Sequence, residues 1–188
     1  MSVDLRTSSG DTLMDIVQEG FDVAITALTP PDSTLVRRRL AAVSLFVYGA
    51  PSYLESHPAP QTPADLADHN CLRYAHLASG DEWHLLDSRG NLTKTRVSGT
   101  LVTDNVETLR VASAAGIGLV LMSPAGGVSD LVASGTLVPL LPGYRSPEFE
   151  FDALYPHRRH MTAKLRIFID MLVDHFADEQ RWINLPGG

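Results

Sequence analysis

The chain has 188 residues, of which 44% are hydrophobic, and this is enough apolar material for one core or two small ones. Its formal net charge of −7 argues against a nucleic-acid-binding surface. The basic clusters at 37–39 and 157–160 are short and are typical of solvated loops. The single cysteine, Cys71, excludes a disulfide framework. Together with the lack of a signal peptide pattern or a membrane-length apolar run, this predicts a soluble, cytoplasmic protein without a membrane partner.

The first elements in the chain predict a β–α–β unit. Residues 3–7 and 21–25 are rich in strand-forming side chains, and a helix capped by Asp11 and ended by Gly20 fills the space between them. Such a unit favours parallel strands and a right-handed crossover. The proline-bearing segment 29–32 then predicts a linker or a crossover.

The middle of the chain alternates short strands, turns and helix starts. An apolar, strand-forming run covers 40–48, Pro51 suits the first turn of a short helix, and Thr62 is placed to cap another. Strands are predicted at 71–74, at 83–85 and from about Thr93, with a turn over 87–91 before the last of them.

Residues 100–122 predict a strand, a capped helix and a second strand. Asp104 is predicted to be the N-cap with Glu107 at capping-box spacing, and Gly116 is predicted to end the helix. Such a unit directs backbone N–H groups and partial positive charge at the carboxyl end of a strand, where open α/β sheets bind small ligands. The carboxylate of Asp104 would compete there with an incoming anion. This segment therefore predicts a small-molecule site.

The C-terminal third continues the alternation. A helix is predicted from a Ser123 cap to Gly135, followed by strands at 136–141 and 148–155. Thr162 is predicted to cap a final helix with one apolar stripe, formed by Leu165, Phe168, Ile169, Leu172 and Phe176. Strands alternating with helices, with two proline-bearing crossings, predict an α/β architecture of two lobes with a ligand between them.

Sequence motifs for catalysis and metal binding are absent. There is no G-x-S-x-G elbow, no phosphate loop and no dinucleotide fingerprint, so we predict neither an enzyme nor a bound cofactor. His157 and His160 have no cysteine or carboxylate at suitable spacing, so no metal site is predicted.

Several segments, in their order and spacing, resemble the effector-binding domain of LysR-type transcriptional regulators. The segments are DIVQEGFDVAI from Asp15, PSYL from Pro51, TPADL from Thr62, CLRY from Cys71, the unit at 97–121, LLP from Leu140, YPHRRH from Tyr155 and AKLRIFID from Ala163. The resemblance implies a two-lobed, periplasmic-binding-protein-like α/β fold that binds a small-molecule effector. It also implies a homo-oligomer, dimer or tetramer, that contacts DNA only through a winged helix-turn-helix not present in this chain.

The resemblance also sets the expected lobes. Lobe I comprises 1–28 and 157–188, and lobe II comprises 29–156. Family members carry a further strand and helix before residue 3, so lobe I is expected to be incomplete. An incomplete sheet would expose unpaired backbone groups. We therefore expect marginal stability or association of the isolated chain.

The family's effector contacts, transferred position by position, fall on turns that follow strands of both lobes. They are Thr7, Ser8, Ala27, Thr103, Asp104, Asn105 and Ser123. Each also has an ordinary explanation as a turn former or a cap. Many family members sense carboxylates or aromatic acids, but Ala27 stands where others often carry arginine or another polar residue, and this makes a strong carboxylate clamp less favourable. The effector's identity stays open.

The sequence thus predicts an effector-sensing domain of a LysR-type regulator. A free-standing solute-binding protein is the first alternative, and it would require an export signal. A small α/β enzyme would require a catalytic constellation, and a nonfunctional fragment is the third alternative.

Overall fold

The computed structural model describes residues 21–27, 35–125, 127–156 and 162–177. The elements within these ranges form a mixed α/β structure, as predicted. The strand expected at 3–7, the helix from Asp11 to Gly20, the linker at 29–32 and the pair His157 and His160 lie outside the described residues. No helix among the described residues is long and apolar enough to cross a lipid bilayer.

Ten strands and four α-helices lie in the described residues. The strands are β1 Ala24–Thr26, β2 Leu35–Val43, β3 Phe46–Gly49, β4 Cys71–Tyr74, β5 Glu82–Leu86, β6 Leu92–Arg96, β7 Val102–Thr103, β8 Leu119–Met122, β9 Val138–Leu140 and β10 Phe149–Pro156. The α-helices are α1 Pro51–Leu54, α2 Val106–Ala114, α3 Val128–Ala133 and α4 Ala163–Phe176, and a 3-10 helix covers Pro63–Asp68.

The chain divides into two compact units. Among the described residues, unit 1 comprises 21–27, 35–43, 149–156 and 162–177, and unit 2 comprises 44–125 and 127–148. Strands β2 and β10 pair with each other and β10 pairs with β1, so both long strands belong to unit 1. The assignment of 1–28 with 157–188 and of 29–156 to two lobes stays a prediction.

Unit 1 contains a three-stranded antiparallel sheet in the order β1-β10-β2. The long pairing of β2 with β10 is interrupted by a bulge between Phe151 and Asp152. Helix α4 is capped by Thr162, whose hydroxyl accepts the Leu165 N–H at 3.2 Å, as predicted. Its apolar stripe packs on the sheet, where Leu172 joins Leu40 in a buried cluster. Strand β1 pairs antiparallel with β10. The parallel pairing expected from the β–α–β pattern stays a prediction, because the strand at 3–7 lies outside the described residues.

Unit 2 is built on a five-stranded sheet in the order β7-β4-β8-β3-β9. Strand β4 lies parallel to both β7 and β8, whereas β3 is antiparallel to β8 and β9. Neighbouring residues of β4 belong to different cores: Cys71 joins the cluster of Trp83 and Leu66, and Leu72 joins that of Leu109. Because side chains alternate along a strand, these clusters lie on opposite faces of the sheet. Both faces are buried, as is usual for parallel strands.

The β5–β6 hairpin and the 3-10 helix belong to the Trp83 side of this sheet. The predicted start of the 3-10 helix is confirmed, since the Asp65 carboxylate accepts the Thr62 N–H at 2.9 Å in a capping box. The predicted turn at 87–91 is also confirmed. The Asp87 carboxylate accepts the N–H groups of Arg89 and Asn91, each at 2.8 Å.

The strand-forming run 40–48 is confirmed, and it is divided between β2 and β3. The division arises because Leu45 leaves the sheet and exchanges hydrogen bonds with Ser146, donating to its Oγ and accepting its N–H. One sequence prediction in this region is wrong. The helix expected from Ser123 starts instead at Val128, after Gly127, whose φ of +84° suits a glycine. The last helical residue is Ala133, and Gly135, which was predicted to end the helix, follows the C-cap Ser134 with a φ of +75°.

Candidate functional site

The carboxyl ends of three parallel strands meet at one edge of the unit 2 sheet. Strand β4 is flanked by β7 and β8, with Tyr74 opposite Thr103 in the register. The residues that follow these strands are Ala75 and His76, Asp104 and Asn105, and Ser123. We call these residues together with Thr103 the carboxyl edge. Chain reversals at such an edge leave polar side chains and backbone groups available to a ligand.

Helix α2 begins at the carboxyl edge with a cap that differs from the predicted one. The cap is Asn105, whose Oδ1 accepts the Thr108 N–H at 3.0 Å. Asp104, predicted as the cap, is exposed and lies one residue before it. The Thr103 hydroxyl oxygen accepts the Asn105 N–H at 3.1 Å and so positions the cap. The prediction missed by one residue because Asp and Asn are almost equally good caps.

The predicted capping box is also wrong, since Glu107 forms an ion pair with Arg110 one turn along the helix. The Arg110 Nε donates to Glu107 at 2.6 Å, and the second guanidinium nitrogen contacts the other carboxylate oxygen. This hydrogen bond lowers the pKa of Glu107 below its usual range. The carboxylate of Glu107 is therefore neutralised by Arg110, and Asp104 keeps the negative charge closest to the start of α2.

Ser123 lies at the end of β8 and forms a tight turn. Its Oγ accepts the Ala125 N–H at 3.2 Å, and Ser129 donates to the carbonyl of Pro124 at 2.6 Å. A hydroxyl that accepts one bond still has its O–H as a donor. The same holds for Thr103. Both hydroxyls can therefore support the fold and also donate to an acceptor group on a ligand.

The end of β4 occupies the central position of the carboxyl edge, and sequence analysis did not include it among the site residues. The Ala75 N–H donates to the Thr103 carbonyl at 2.9 Å, which fixes the end of β4 to that of β7. The His76 ring follows and meets Tyr74 edge-on, with ring centroids 5.7 Å apart. The strand order would have identified these residues. Because β4 lies parallel to and between β7 and β8, its carboxyl end lies between the predicted site residues that follow those two strands.

The structure brings four of the predicted site residues to one edge: Thr103, Asp104, Asn105 and Ser123. Ala27 is exposed and directly follows β1 of unit 1. Thr7 and Ser8 lie outside the described residues.

A family model described as the LysR substrate binding domain matches residues 1–177. The chain is 33% identical over 178 residues to the HTH-type transcriptional activator AaeR of Escherichia coli. The match covers 95% of this chain and 56% of that protein. It is 31% identical over 175 residues to the HTH-type transcriptional regulator CrgA of Neisseria meningitidis, covering 93% of this chain and 58% of the relative. The chain thus spans a little over half the length of these relatives.

Solved structures agree with the sequence comparisons. The CrgA regulatory domain from Neisseria meningitidis superposes with a TM-score of 0.76 at 30% identity, covering 89% of this chain and 81% of that one. Full-length AphB of Vibrio cholerae, a virulence activator of the LTTR family, gives a TM-score of 0.76 at 26% identity, covering 92% and 57% of the two chains. These similarities confirm the predicted periplasmic-binding-protein-like fold. The chain belongs to the LysR substrate-binding domain family.

Proposed function

We propose that this domain senses a small-molecule effector at its carboxyl edge and that the protein containing it regulates transcription. Membership of the LysR family supports the sensing role over that of a free-standing solute-binding protein. The observation that carries the location of the site is the convergence of three parallel strand ends, each followed by polar side chains. Regulation would proceed through a winged helix-turn-helix module and a dimer or tetramer, with effector binding shifting a conformational equilibrium.

The proposed contacts divide by chemistry. The hydroxyls of Thr103 and Ser123 would donate to acceptor groups of the effector, whereas the exposed Asp104 would accept from a donor or cationic group. Asn105 would position the first turn of α2 through its cap. His76, between the two hydroxyl-bearing turns, would add a further polar contact. Such a set favours an effector with both donor and acceptor groups over a simple anion.

Three further residues complete the proposal. Ala27, which follows β1 in unit 1, and Thr7 and Ser8 are proposed as further effector contacts. The lack of a cationic side chain at Ala27 supports an effector other than a tightly clamped carboxylate. We propose no catalytic step, since family relatives are named as transcriptional regulators.

A thermal-shift screen tests the site. The 188-residue chain would be screened against benzoate, succinate, tryptophan and adenine as representatives of aromatic acids, dicarboxylates, zwitterions and neutral heterocycles. A ligand that binds the native state raises the melting temperature by mass action. We expect the strongest shift from a probe with both donor and acceptor groups. That shift should be lost in Thr103→Ala and Ser123→Ala.

Ser88→Ala provides the matched control, because Ser88 is an exposed serine in the β5–β6 turn, away from the carboxyl edge. This variant should retain the full shift. Equal shifts in all three variants and the original chain would refute the assignment of the carboxyl edge.

A further inference from the structure

A cluster of three aromatic side chains lies near the amino end of β4 in unit 2. Tyr53 of α1 is buried, and its ring stacks on that of His57 with centroids 4.2 Å apart and planes 2° apart. The Tyr53 hydroxyl oxygen accepts the Asn70 N–H at 3.0 Å and lies 3.2 Å from Nδ1 of His69. His69 itself is only 9% exposed. The cluster plays no part in the proposed effector site.

The Tyr53 oxygen accepts the Asn70 N–H and lies within hydrogen-bond distance of Nδ1 of His69. In the neutral tautomer that carries its proton on Nε2, Nδ1 of His69 accepts from the Tyr53 hydroxyl. We assign this tautomer to the closed arrangement, because His69 is buried. A protonated imidazole donates from both nitrogens, so it could no longer accept this bond.

The surroundings decide how readily His69 takes up a proton. The groups that face it are Tyr53 and His57, from α1 and the residues after it, and Asp65 and Asp68 from the 3-10 helix. The buried thiol of Cys71 on β4 lies near Tyr53. Burial and the charge of His57 lower the pKa of His69, and the two aspartates oppose them only in part. The closed arrangement therefore resists protonation.

We propose that Tyr53, His57 and His69 form a proton-sensitive latch, which is closed by the Tyr53–His69 hydrogen bond and opens when His69 is protonated. A charged imidazole is disfavoured in this buried site, so opening exposes the His69 ring to water and separates Tyr53 from both His69 and the Asn70 N–H. Asn70 also ties together two other segments, since its side-chain amide donates to Thr100 Oγ1 at 3.1 Å and to the Ile117 carbonyl at 2.7 Å. Acid would therefore loosen the contacts of Asn70 at the end of the sheet opposite the carboxyl edge.

Amide hydrogen exchange of the 188-residue chain tests the latch, with the Asn70 N–H as reporter. The open form binds the proton with the ordinary histidine pKa of 6.5, and the closed form binds it only at lower pH. The protection factor of Asn70 should therefore fall by about tenfold per pH unit below this value, until the closed form is also protonated. The Ser146 N–H, which donates to the Leu45 carbonyl at 2.8 Å, should keep its protection as an internal reference.

Two variants separate the latch from a general effect of acid. His69→Gln retains an acceptor oxygen but cannot titrate, so the protection of Asn70 should become independent of pH. His84→Gln removes a histidine of the β5–β6 hairpin that lies 3.3 Å from Glu82, and it should leave the pH dependence of Asn70 unchanged.

A second measurement does not depend on any variant. The NMR titration of the His69 ring in the original chain should give a pKa below 6.5, at the pH where the fall in Asn70 protection levels off. A titration at or above that value, or a loss of Asn70 protection matched by Ser146, would overturn the latch. Neither result would bear on effector binding at the carboxyl edge.

Discussion

At the scale of single residues, two buried tyrosines of unit 2 differ in what their hydroxyl groups contact. Tyr48 on β3 is 0% exposed, and its hydroxyl has no hydrogen-bond partner among the described residues. Burial raises the pKa of this phenol. The hydroxyl of Tyr53 instead contacts both Asn70 and His69. The pair allows a comparison of an unsatisfied hydroxyl with a satisfied one at similar burial.

Replacing each tyrosine with phenylalanine should change stability in opposite directions. Tyr48→Phe removes a desolvated hydroxyl without leaving a partner behind, so the free energy of unfolding should rise by about 1 kcal/mol. Tyr53→Phe leaves the Asn70 N–H and His69 Nδ1 without a partner, so the same quantity should fall by about 2 kcal/mol. Urea unfolding at pH 7.5 measures both. A loss of stability in Tyr48→Phe would indicate a hydrogen-bond acceptor that the described residues do not supply.

Cys71 should be chemically inert in the native protein. Its thiol is 0% exposed and contacts the Leu66 carbonyl at 3.4 Å, and burial raises its pKa to about 12. Since the thiolate is the reactive form, a disulfide reagent such as DTNB at pH 8 should modify Cys71 only after unfolding in urea. Rapid modification without denaturant would show that the Trp83 side of the sheet opens readily.

At the scale of elements, two adjacent residues at the start of α2 have different roles. Asn105 caps the helix, and Asp104 is a proposed effector contact. Asn105→Ala removes the cap on Thr108 and should lower the free energy of unfolding by about 1 kcal/mol. Asp104 is exposed and is not the cap, so Asp104→Ala should leave stability within about 0.5 kcal/mol. Urea unfolding of the two variants measures this difference in the free energy of unfolding. Similar losses in both would mean that Asp104 also supports the helix.

Most elements of unit 2 could be predicted from sequence because their signals are local. Proline at Pro51 and Pro63, the turn around Asp87 and glycine at Gly116 each mark a boundary through the chemistry of one or two residues. The break at Ser44 and Leu45 could not be predicted in this way. It depends on Ser146, a partner about a hundred positions along the chain.

At the scale of the whole molecule, the fold class could be predicted from sequence patterns, whereas the pairing of β2 with β10 could not. These strands belong to unit 1 because they pair with each other and β10 pairs with β1. Some features of the candidate site could likewise be predicted from local sequence, and others depend on strand pairing. The polar turns at Thr103 and Ser123 are visible in the sequence, whereas the position of His76 between them follows from the strand order β7-β4-β8. Long-range pairing is the information that local patterns lack.

Three carboxylates each stabilise a different element of unit 2, and all three have a lowered pKa. Asp65 accepts the Thr62 and Gln61 N–H groups at the 3-10 helix, Asp87 is bonded by Asn91 in the hairpin turn, and Glu107 is bonded by Arg110 on α2. A carboxylate with a lower pKa in the folded state binds fewer protons there than in the unfolded chain. Its contribution is complete above the ordinary values of 3.8 for Asp and 4.5 for Glu, and it is lost as the pH falls through the folded values.

Stability should therefore fall in acid by a route separate from His69. In a His69→Gln background, the urea midpoint should stay level from pH 7 to about 5 and then decrease steeply. Adding Asp65→Asn, Asp87→Asn and Glu107→Gln should lower the midpoint at pH 7 and flatten its decrease in acid, so that the two curves converge once the pH is low enough to protonate the native carboxylates. Parallel curves across this range would show that other acidic groups govern the acid unfolding of the molecule.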